Sequence, residues 1–216
     1  MNVAGPDFVP PGGLMTKRPV LDFWYEFAST YSCLTALRIE AAGEAAGVDL
    51  RWRPFLLAPI FAAQGWTSSP FNLYPNKGRY MWRDVARRAG RSGLTIVRPE
   101  IFPQNSLIAA RLALAGREAG WMPGFTKALF RAQFCEGRNI AEEAVLTAAL
   151  REAGADASAA FPLSRSEEVK GRLKAETELA KSLGIFGAPT FVTGDGELFW
   201  GDDRLEEALD WARDGR

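Results

Sequence analysis

Residues 19–27 read PVLDFWYEF, an apolar and aromatic run of strand length that predicts a buried strand. Ser29 to Gly47 follows with small and apolar residues at helical spacing, and Gly47 is a typical helix stop. Val48–Arg53 then alternates apolar and polar residues, as a half-buried strand does, until Pro54 ends it. The pattern therefore predicts a β-α-β opening.

The last third of the chain predicts a second unit that contains strands. Ser164–Leu183 is expected to be an amphipathic helix, with Ser164 and Glu167 at capping-box spacing. The predicted inward face of this helix comprises Val169, Leu173, Leu179, Ala180 and Leu183. Two short strands are predicted on either side of a Gly-Asp-Gly hairpin signal, at Thr190–Thr193 and Glu197–Trp200. A final helix is predicted to begin at Asp202.

Residues 55–163 show helical patterns and almost no strand pattern. The predicted helices are Tyr80–Gly90, Ser106–Gly120, Phe125–Phe134 and Glu142–Gly154. A β-α-β unit separated from α-β-β-α by such a block is the element order of a thioredoxin-like α/β fold with an inserted all-helical domain. We therefore expect a thioredoxin-like domain formed by residues 19–54 and 164–216 and an inserted helical domain at 55–163. Residues 1–18 are predicted to be a flexible Gly- and Pro-rich arm in which Met15 is a second candidate start.

Composition excludes several classes of function. The 26 Lys and Arg residues balance the 26 Asp and Glu residues, so no net positive field attracts nucleic acid or an anionic membrane. Because the chain has no His, imidazole catalysis and a Ser/His/Asp triad are excluded. Cys33 and Cys135 are too few for a four-ligand zinc site, and no metal site is expected. With no secretory signal pattern, we expect a cytoplasmic protein.

The start of the first helix is the predicted centre of the chemistry. Oxidoreductases of the thioredoxin fold carry C-x-x-C there, because the helix N-terminus depresses the pKa of a thiol. Residues 29–32 here read Ser-Thr-Tyr-Ser, and Cys33 lies one residue past this register, so dithiol exchange is not expected. Ser29 is either a simple N-cap or a cap whose hydroxyl also binds the sulfur of a ligand.

Two further elements accompany this helix start. Pro189 lies at the first position of a predicted strand, where thioredoxin-like folds place a cis-proline whose preceding residue, here Ala188, binds an extended peptide. Asp202 and Asp203 open the last helix, and Asp203 with Glu206 has capping-box spacing. These carboxylates are either caps or contacts for the α-ammonium of a γ-glutamyl group.

The chain resembles the 2-hydroxychromene-2-carboxylate isomerase family, which is akin to kappa-class glutathione transferases and DsbA-type oxidoreductases. The resemblance runs from about Pro19 to Trp211. It is carried, in order, by DFWYEFAS (22–29), RPFLL (53–57), NKGRYM (76–81), FPQNS (102–106), GIFGAPTF (184–191) and LFWGDDRL (198–205).

The resemblance implies glutathione as cofactor and assigns residues to it. Ser29 matches the family serine that holds the glutathione sulfur, and Lys77 matches a lysine near the glycyl carboxylate. Ala188, before Pro189, matches the backbone clamp. Asp202, Asp203 and Arg204 match the segment that recognises the γ-glutamyl group. The alternative interpretation of Lys77 is a solvated lysine at a helix start. For Asn105, in the FPQNS segment, the alternative interpretation is a cap of the helix that follows it.

Two positions depart from the family pattern. Thr30 stands where relatives usually have proline, and Trp66 falls near a position where relatives have a ligand-contacting asparagine. Five aromatic side chains are expected mainly in the core, although some are candidates for an apolar substrate site; they are Trp24, Tyr25, Trp66, Trp82 and Trp200.

The implied activity is a glutathione-dependent isomerisation by reversible thiolate addition to an aromatic-degradation intermediate. Such chemistry needs no protein imidazole, which agrees with the missing His. The alternatives are a kappa-like transferase that releases a glutathione conjugate and a glutathione-binding protein without turnover. The resemblance also implies a homodimer.

Overall fold

The computed structural model describes residues 18–215. The predicted arm, with Met15, lies outside this range except for Arg18, whose guanidinium pairs with the Glu44 carboxylate at 2.9 Å. Among the helices of residues 18–215, none combines the length and hydropathy that crossing a bilayer requires.

The elements follow the predicted order, with additional helices. The opening and closing parts contain β1 (Val20–Tyr25), α1 (Thr30–Ala36), α2 (Ile39–Ala46), β2 (Asp49–Pro54), α10 (Glu167–Ser182), β3 (Thr190–Val192), β4 (Leu198–Trp200), a 3₁₀ turn (Asp202–Arg204) and α11 (Leu205–Asp214). Between β2 and α10 lie α3 (Leu57–Ala63), α4 (Pro70–Leu73), α5 (Pro75–Arg91), α6 (Leu107–Ala115), α7 (Met122–Phe134), α8 (Glu143–Glu152) and α9 (Ala157–Ser164).

The four strands form one mixed sheet in the order β2-β1-β3-β4. β1 is parallel to β2 and antiparallel to β3, with Trp24 opposite Thr190. As predicted, β1 is buried, and its Phe23, Trp24 and Tyr25 side chains are fully inaccessible. Because β3 runs against β1, the beginning of β3 lies beside the end of β1. This register brings the start of α1 next to the turn before β3.

The single helix predicted from Ser29 to Gly47 is wrong, because the structure has two helices. α1 ends at Ala36, and α2 begins at Ile39 after Arg38, whose φ of −129° is not helical. The Arg38 guanidinium donates to the Asp202 carbonyl at 2.6 Å and also contacts the Asp202 carboxylate. A contact with the far end of the chain therefore accompanies the break.

The predicted cap of the long helix α10 is also wrong. Ser166 is the N-cap, and its hydroxyl accepts a hydrogen bond from the Val169 backbone nitrogen at 3.2 Å. Ser164 is buried and donates its hydroxyl to the Phe161 carbonyl instead. On the helix face, Val169, Leu173 and Ala180 are buried as expected, whereas Leu179 and Leu183 are exposed.

The helical block contains the four predicted helices, with shifted ends, and three that the pattern missed. The missed helices are α3, the single turn α4, and α9, which carries Pro162 in its interior. The block and the sheet share one core, since the Phe27 ring, after β1, packs on the Phe130 ring of α7 with centroids 5.3 Å apart. Between β2 and α10 the described chain has no strand, which agrees with an all-helical insertion. The exact domain boundaries, 19–54 with 164–216 and 55–163, stay a proposal.

Candidate active site

A cleft of about 1210 Å³ lies where the end of β1 meets the beginning of β3. Its walls come from the start of α1, the turn before β3, the 3₁₀ turn and one side of α5. The cleft brings together six of the seven predicted site residues as lining residues, namely Ser29, Lys77, Ala188, Asp202, Asp203 and Arg204. Pro189 follows Ala188 directly but is itself buried.

Ser29 joins the two halves of the thioredoxin-like unit. It is the N-cap of α1, with extended backbone (φ −89°, ψ 117°), and its hydroxyl oxygen accepts from the Ser32 backbone nitrogen at 3.1 Å. The same hydroxyl donates to the Ala188 carbonyl at 2.9 Å. The capping interpretation is therefore confirmed, and the half-buried Ser29 hydroxyl also reaches the cleft.

The predicted cis-proline is confirmed, because the Ala188–Pro189 peptide bond is cis. The turn is held from the other side by the Gly201 nitrogen, which donates to the Pro189 carbonyl at 3.0 Å. An added Cβ at Gly187 would overlap the indole nitrogen of Trp200, so a side chain there would displace the Trp200 ring. The backbone before Pro189 therefore approaches the Trp200 ring closely.

Asp202 forms the centre of a buried ion cluster. Its side chain is 4% exposed, and Oδ1 accepts from the Thr35 hydroxyl at 2.9 Å and from Arg38 Nε at 3.2 Å. Oδ2 accepts from Arg88 Nε at 3.0 Å. Both carboxylate oxygens are thus used within the protein, so the structure gives Asp202 the role of linking α1, the α1–α2 junction and α5.

Asp203, Arg204 and Lys77 are exposed at the cleft. The predicted capping box of Asp203 is wrong, because α11 begins after the 3₁₀ turn with Arg204 as N-cap and no side-chain cap. Arg204 pairs with Glu207 at 3.2 Å. Lys77 lies in the first turn of α5, and its ammonium group is 4.8 Å from the centre of the Tyr74 ring. These three side chains give the cleft rim accessible charges of both signs.

Aromatic rings form part of the cleft wall. Phe186 and Trp200 are 46% and 51% exposed and pack edge to face with centroids 4.8 Å apart. Trp66 also lines the cleft and packs on Phe61 at 5.5 Å. Of the aromatic side chains predicted for the core, Trp24 and Tyr25 are there, whereas Trp200 is at the cleft.

Neither cysteine lines the cleft. Cys33 is fully buried, and this burial raises the pKa of its thiol well above the ordinary value. Burial also raises the pKa of the Cys135 thiol. No group of three or more His, Cys, Asp or Glu side chains within the described range is placed to hold a metal ion.

The sequence interpretation missed Glu26, which lines the cleft beside Ser29. Its carboxylate accepts from the Ala28 nitrogen at 3.0 Å and from the Ser106 hydroxyl. Burial raises the pKa of Glu26 to about 7, although both hydrogen bonds oppose the shift. The available signal was a lone glutamate inside the apolar run of residues 19–27. The alternative interpretation of Asn105 is close to what the structure shows: its side-chain oxygen accepts from the Leu107 nitrogen at 3.0 Å, although the N-cap residue of α6 is Ser106.

The chain is similar to several known proteins over most of its length. The 2-hydroxychromene-2-carboxylate isomerase of Sphingobium xenophagum is 26% identical over 193 residues, which cover 89% of this chain and 96% of that protein. Glutathione S-transferase kappa 2 of Caenorhabditis elegans is 25% identical, with coverage of 91% and 93%. A solved structure of a 2-hydroxychromene-2-carboxylate isomerase matches with a TM-score of 0.77 at 27% identity, over 86% of this chain and 90% of that one.

These similarities confirm the resemblance and the predicted fold class. The family model of the DsbA-like thioredoxin domain matches residues 20–210, from the first residue of β1 into α11. Because this match spans nearly all of the described chain, the protein belongs to the DsbA-like thioredoxin domain family.

Proposed function

We propose that the chain is a glutathione-dependent isomerase of the 2-hydroxychromene-2-carboxylate type, acting on an intermediate of aromatic-compound degradation. The carrying observation is the Ser29 hydroxyl, which faces the Ala188 carbonyl at 2.9 Å in the cleft, where a dithiol exchanger would have a reactive sulfur. The similarity to the Sphingobium xenophagum isomerase supports this reaction class.

The chemistry of the cleft residues fits glutathione, which carries a thiol, two carboxylates and an ammonium group. The Ser29 hydroxyl suits the sulfur, and the backbone of Ala188 suits the extended peptide. Lys77 and Arg204 offer cations for the carboxylates, and Asp203 offers an accessible anion for the ammonium group. The buried Asp202 carboxylate binds Arg38 and Arg88, and these contacts hold the 3₁₀ turn that carries Asp203 and Arg204.

When bound, glutathione supplies a thiolate that adds reversibly to a conjugated carbon of the substrate. Ser29 would stabilise the sulfur anion, because its hydroxyl is a hydrogen-bond donor and an anionic sulfur is a stronger acceptor than the Ala188 carbonyl that it binds in this structure. A thiol with a pKa near ~8.5 is only about 3% ionised at neutral pH, so ionisation alone contributes at most ~30-fold. Orientation in the cleft must therefore supply most of the remaining rate.

Glutathione is expected to stabilise the folded protein. A ligand that binds only the native state adds about 2.7 kcal/mol to the free energy of unfolding at a hundredfold excess over its Kd. S-methyl glutathione should stabilise less, because it cannot present an anionic sulfur to Ser29. Thermal unfolding with and without each compound measures both effects, and no shift at millimolar glutathione would contradict glutathione as the cofactor.

The reaction itself is tested with a bicyclic 2-hydroxychromene carboxylate and glutathione. The isomerase converts the substrate while the glutathione concentration stays constant. The similarity to the kappa transferase of Caenorhabditis elegans favours one other outcome. In that case the product is a conjugate that contains glutathione, and the concentration of free glutathione falls. Saturable binding without any reaction would instead indicate a glutathione-binding protein.

Replacing both cysteines, Cys33→Ala with Cys135→Ala, is expected to preserve most glutathione-dependent activity. Neither sulfur reaches the cleft, and both thiols have raised pKa values. The packing lost on removing buried sulfur costs about 1 kcal/mol per site, so the assay belongs well below the melting temperature of the variant. A folded but inactive double variant would show that a protein thiol takes part.

The proposal includes an aromatic substrate, for which the exposed Phe186 and Trp200 rings offer a matching surface. It also includes a cytoplasmic location, where thiols are kept reduced, and a homodimer, as the family resemblance implies. No nucleic-acid or membrane partner forms part of it.

A further inference from the structure

The proposed function assigns no role to Glu26. It follows the last residue of β1 and is 5% exposed, yet it forms part of the cleft wall together with Ser29. The Ser29 nitrogen donates to the Glu26 carbonyl at 3.0 Å, which closes the turn between them. Within the same turn, the Ala28 nitrogen donates to the Glu26 carboxylate at 3.0 Å, so the carboxyl group lies against the turn that presents the Ser29 hydroxyl.

Two neutral donors hold the Glu26 carboxylate in place. One is the Ala28 nitrogen at 3.0 Å, and the other is the Ser106 hydroxyl. Ser106 is the N-cap residue of α6 but gives that helix no side-chain cap, because its hydroxyl is directed to Glu26. The Ser106 hydroxyl thus binds the Glu26 carboxylate instead of capping its own helix.

No lysine or arginine within residues 18–215 forms an ion pair with Glu26. The titratable and charged side chains that share the cleft with it are Tyr31 on α1, Lys77, Tyr80, Asp84 and Arg88 on α5, and Asp202, Asp203 and Arg204 in the 3₁₀ turn. A buried carboxylate without a cation is costly to keep ionised, and burial accordingly raises the pKa of Glu26 to about 7. Such a group exchanges its proton readily at neutral pH, as a general base or acid must.

We propose that Glu26 is the proton-holding residue of this cleft, taking the proton from the bound thiol when its sulfur is ionised and returning it when the thiol re-forms. The inference rests on the proposed function, since it requires a thiol bound at Ser29. In the forward step the S–H bond breaks, an O–H bond forms on the Glu26 carboxylate, and the electron pair stays on sulfur. The reverse step restores both groups, so no net proton, oxidant or reductant is required. With no His in the chain, Glu26 is the titratable cleft residue whose pKa lies near neutrality.

The first test counts protons without measuring turnover. Glutathione is added to the wild-type protein at pH about 8, where most Glu26 is ionised and most free thiol is not. Proton release is measured with an indicator dye in weak buffer, thiolate formation is measured by ultraviolet absorbance, and the release caused by S-methyl glutathione is subtracted. We expect well under one proton released per thiolate formed in the wild type, because the negative charge of the new thiolate raises the pKa of Glu26 further and keeps the proton on its carboxyl group, and about one in Glu26→Gln. A ratio of one in the wild type overturns the proposal.

The second test is the pH dependence of kcat/KM. The wild type should show an acidic limb near pH 7, because only ionised Glu26 accepts a proton. Glu26→Gln keeps the shape and the Ala28 hydrogen bond. It should replace this limb with one set by the pKa of the thiol itself, and it should lose roughly 100-fold in kcat with a KM for glutathione changed less than about threefold. Ser106→Ala removes a donor that lowers the pKa of Glu26, so it should move the limb to higher pH.

Asp84→Asn is the matched control, because it removes another carboxylate from the same cleft and should leave the acidic limb in place. If Glu26→Gln binds glutathione, turns over and keeps the acidic limb of the wild type, the role of Glu26 is overturned and the proposed function is not. A wild-type protein that binds no glutathione overturns the proposed function and this inference together.

Discussion

Ser29→Ala is expected to lower glutathione-dependent turnover by roughly 10–1,000-fold, the range seen when one donor to an anion in an active site is lost. The hydroxyl of Ser29 is directed into the site by its bond to the Ala188 carbonyl, and no cysteine lines the cleft to replace it. The loss of the cap at Ser32 N costs about 1 kcal/mol of stability, so the variant should still fold. Steady-state kinetics at saturating substrate, together with a thermal melt, measure both effects.

Ser32→Ala is the matched control for Ser29→Ala. The Ser32 hydroxyl is fully buried in the same helix, has no hydrogen-bond partner within the described chain and does not line the cleft. Its removal should leave turnover within about twofold, since removing an unpaired buried hydroxyl breaks no interaction. Equal activity in folded Ser29→Ala and Ser32→Ala proteins would reduce Ser29 to a helix cap.

Asp202→Ala is expected to lower the free energy of unfolding by about 3 kcal/mol or more, which is typical when one partner of a buried ion cluster is removed. The variant leaves the guanidinium of Arg88, which is 26% exposed, without its carboxylate and removes the acceptor of the Thr35 hydroxyl. It also releases Arg38 at the junction of α1 and α2. Denaturant unfolding followed by circular dichroism measures the difference.

Glu206→Ala is the corresponding control, because Glu206 pairs with the same Arg38 but is 65% exposed. Exposed ion pairs contribute about 0–1 kcal/mol, so this variant should unfold close to the wild type. A difference of less than about 1 kcal/mol between the two variants would contradict a stabilising role of the Asp202 cluster.

Features with local sequence signals were predicted well. The cap at Ser29 and the hairpin at residues 194–196 each depend on a few neighbouring residues, whereas the cis peptide before Pro189 was predicted from the place of this proline in the element order. All three are present. The insertion of helices between the two strand-containing units also follows from the sequence of element types. These signals were sufficient for the fold because the strands are short, strongly apolar and separated by clear turn residues.

Two of the features that were missed depend on residues far apart in the chain. The helix break at Arg38 and the internal use of Asp202 arise together, from side chains 164 residues apart. The buried carboxylate of Glu26 accepts a hydrogen bond from Ser106, which lies 80 residues away. Periodicity and capping patterns carry no information about such pairings. The assignments of Lys77, Ala188 and Asp203 to glutathione, which the resemblance implied, stay predictions.

The hydrogen bond from Ser29 to Ala188 closes a loop of chain between residues 159 positions apart. The entropy lost in closing a loop grows only with the logarithm of its length, so doubling the intervening chain would cost about 0.6 kcal/mol more. Most of that chain is the helical block, which contributes α5 and hence one wall of the cleft. Insertions and deletions in the connections between the helices of the block are therefore thermodynamically inexpensive compared with changes in the strands, and the substrate-facing wall can vary in length while Ser29 and Ala188 keep their spacing.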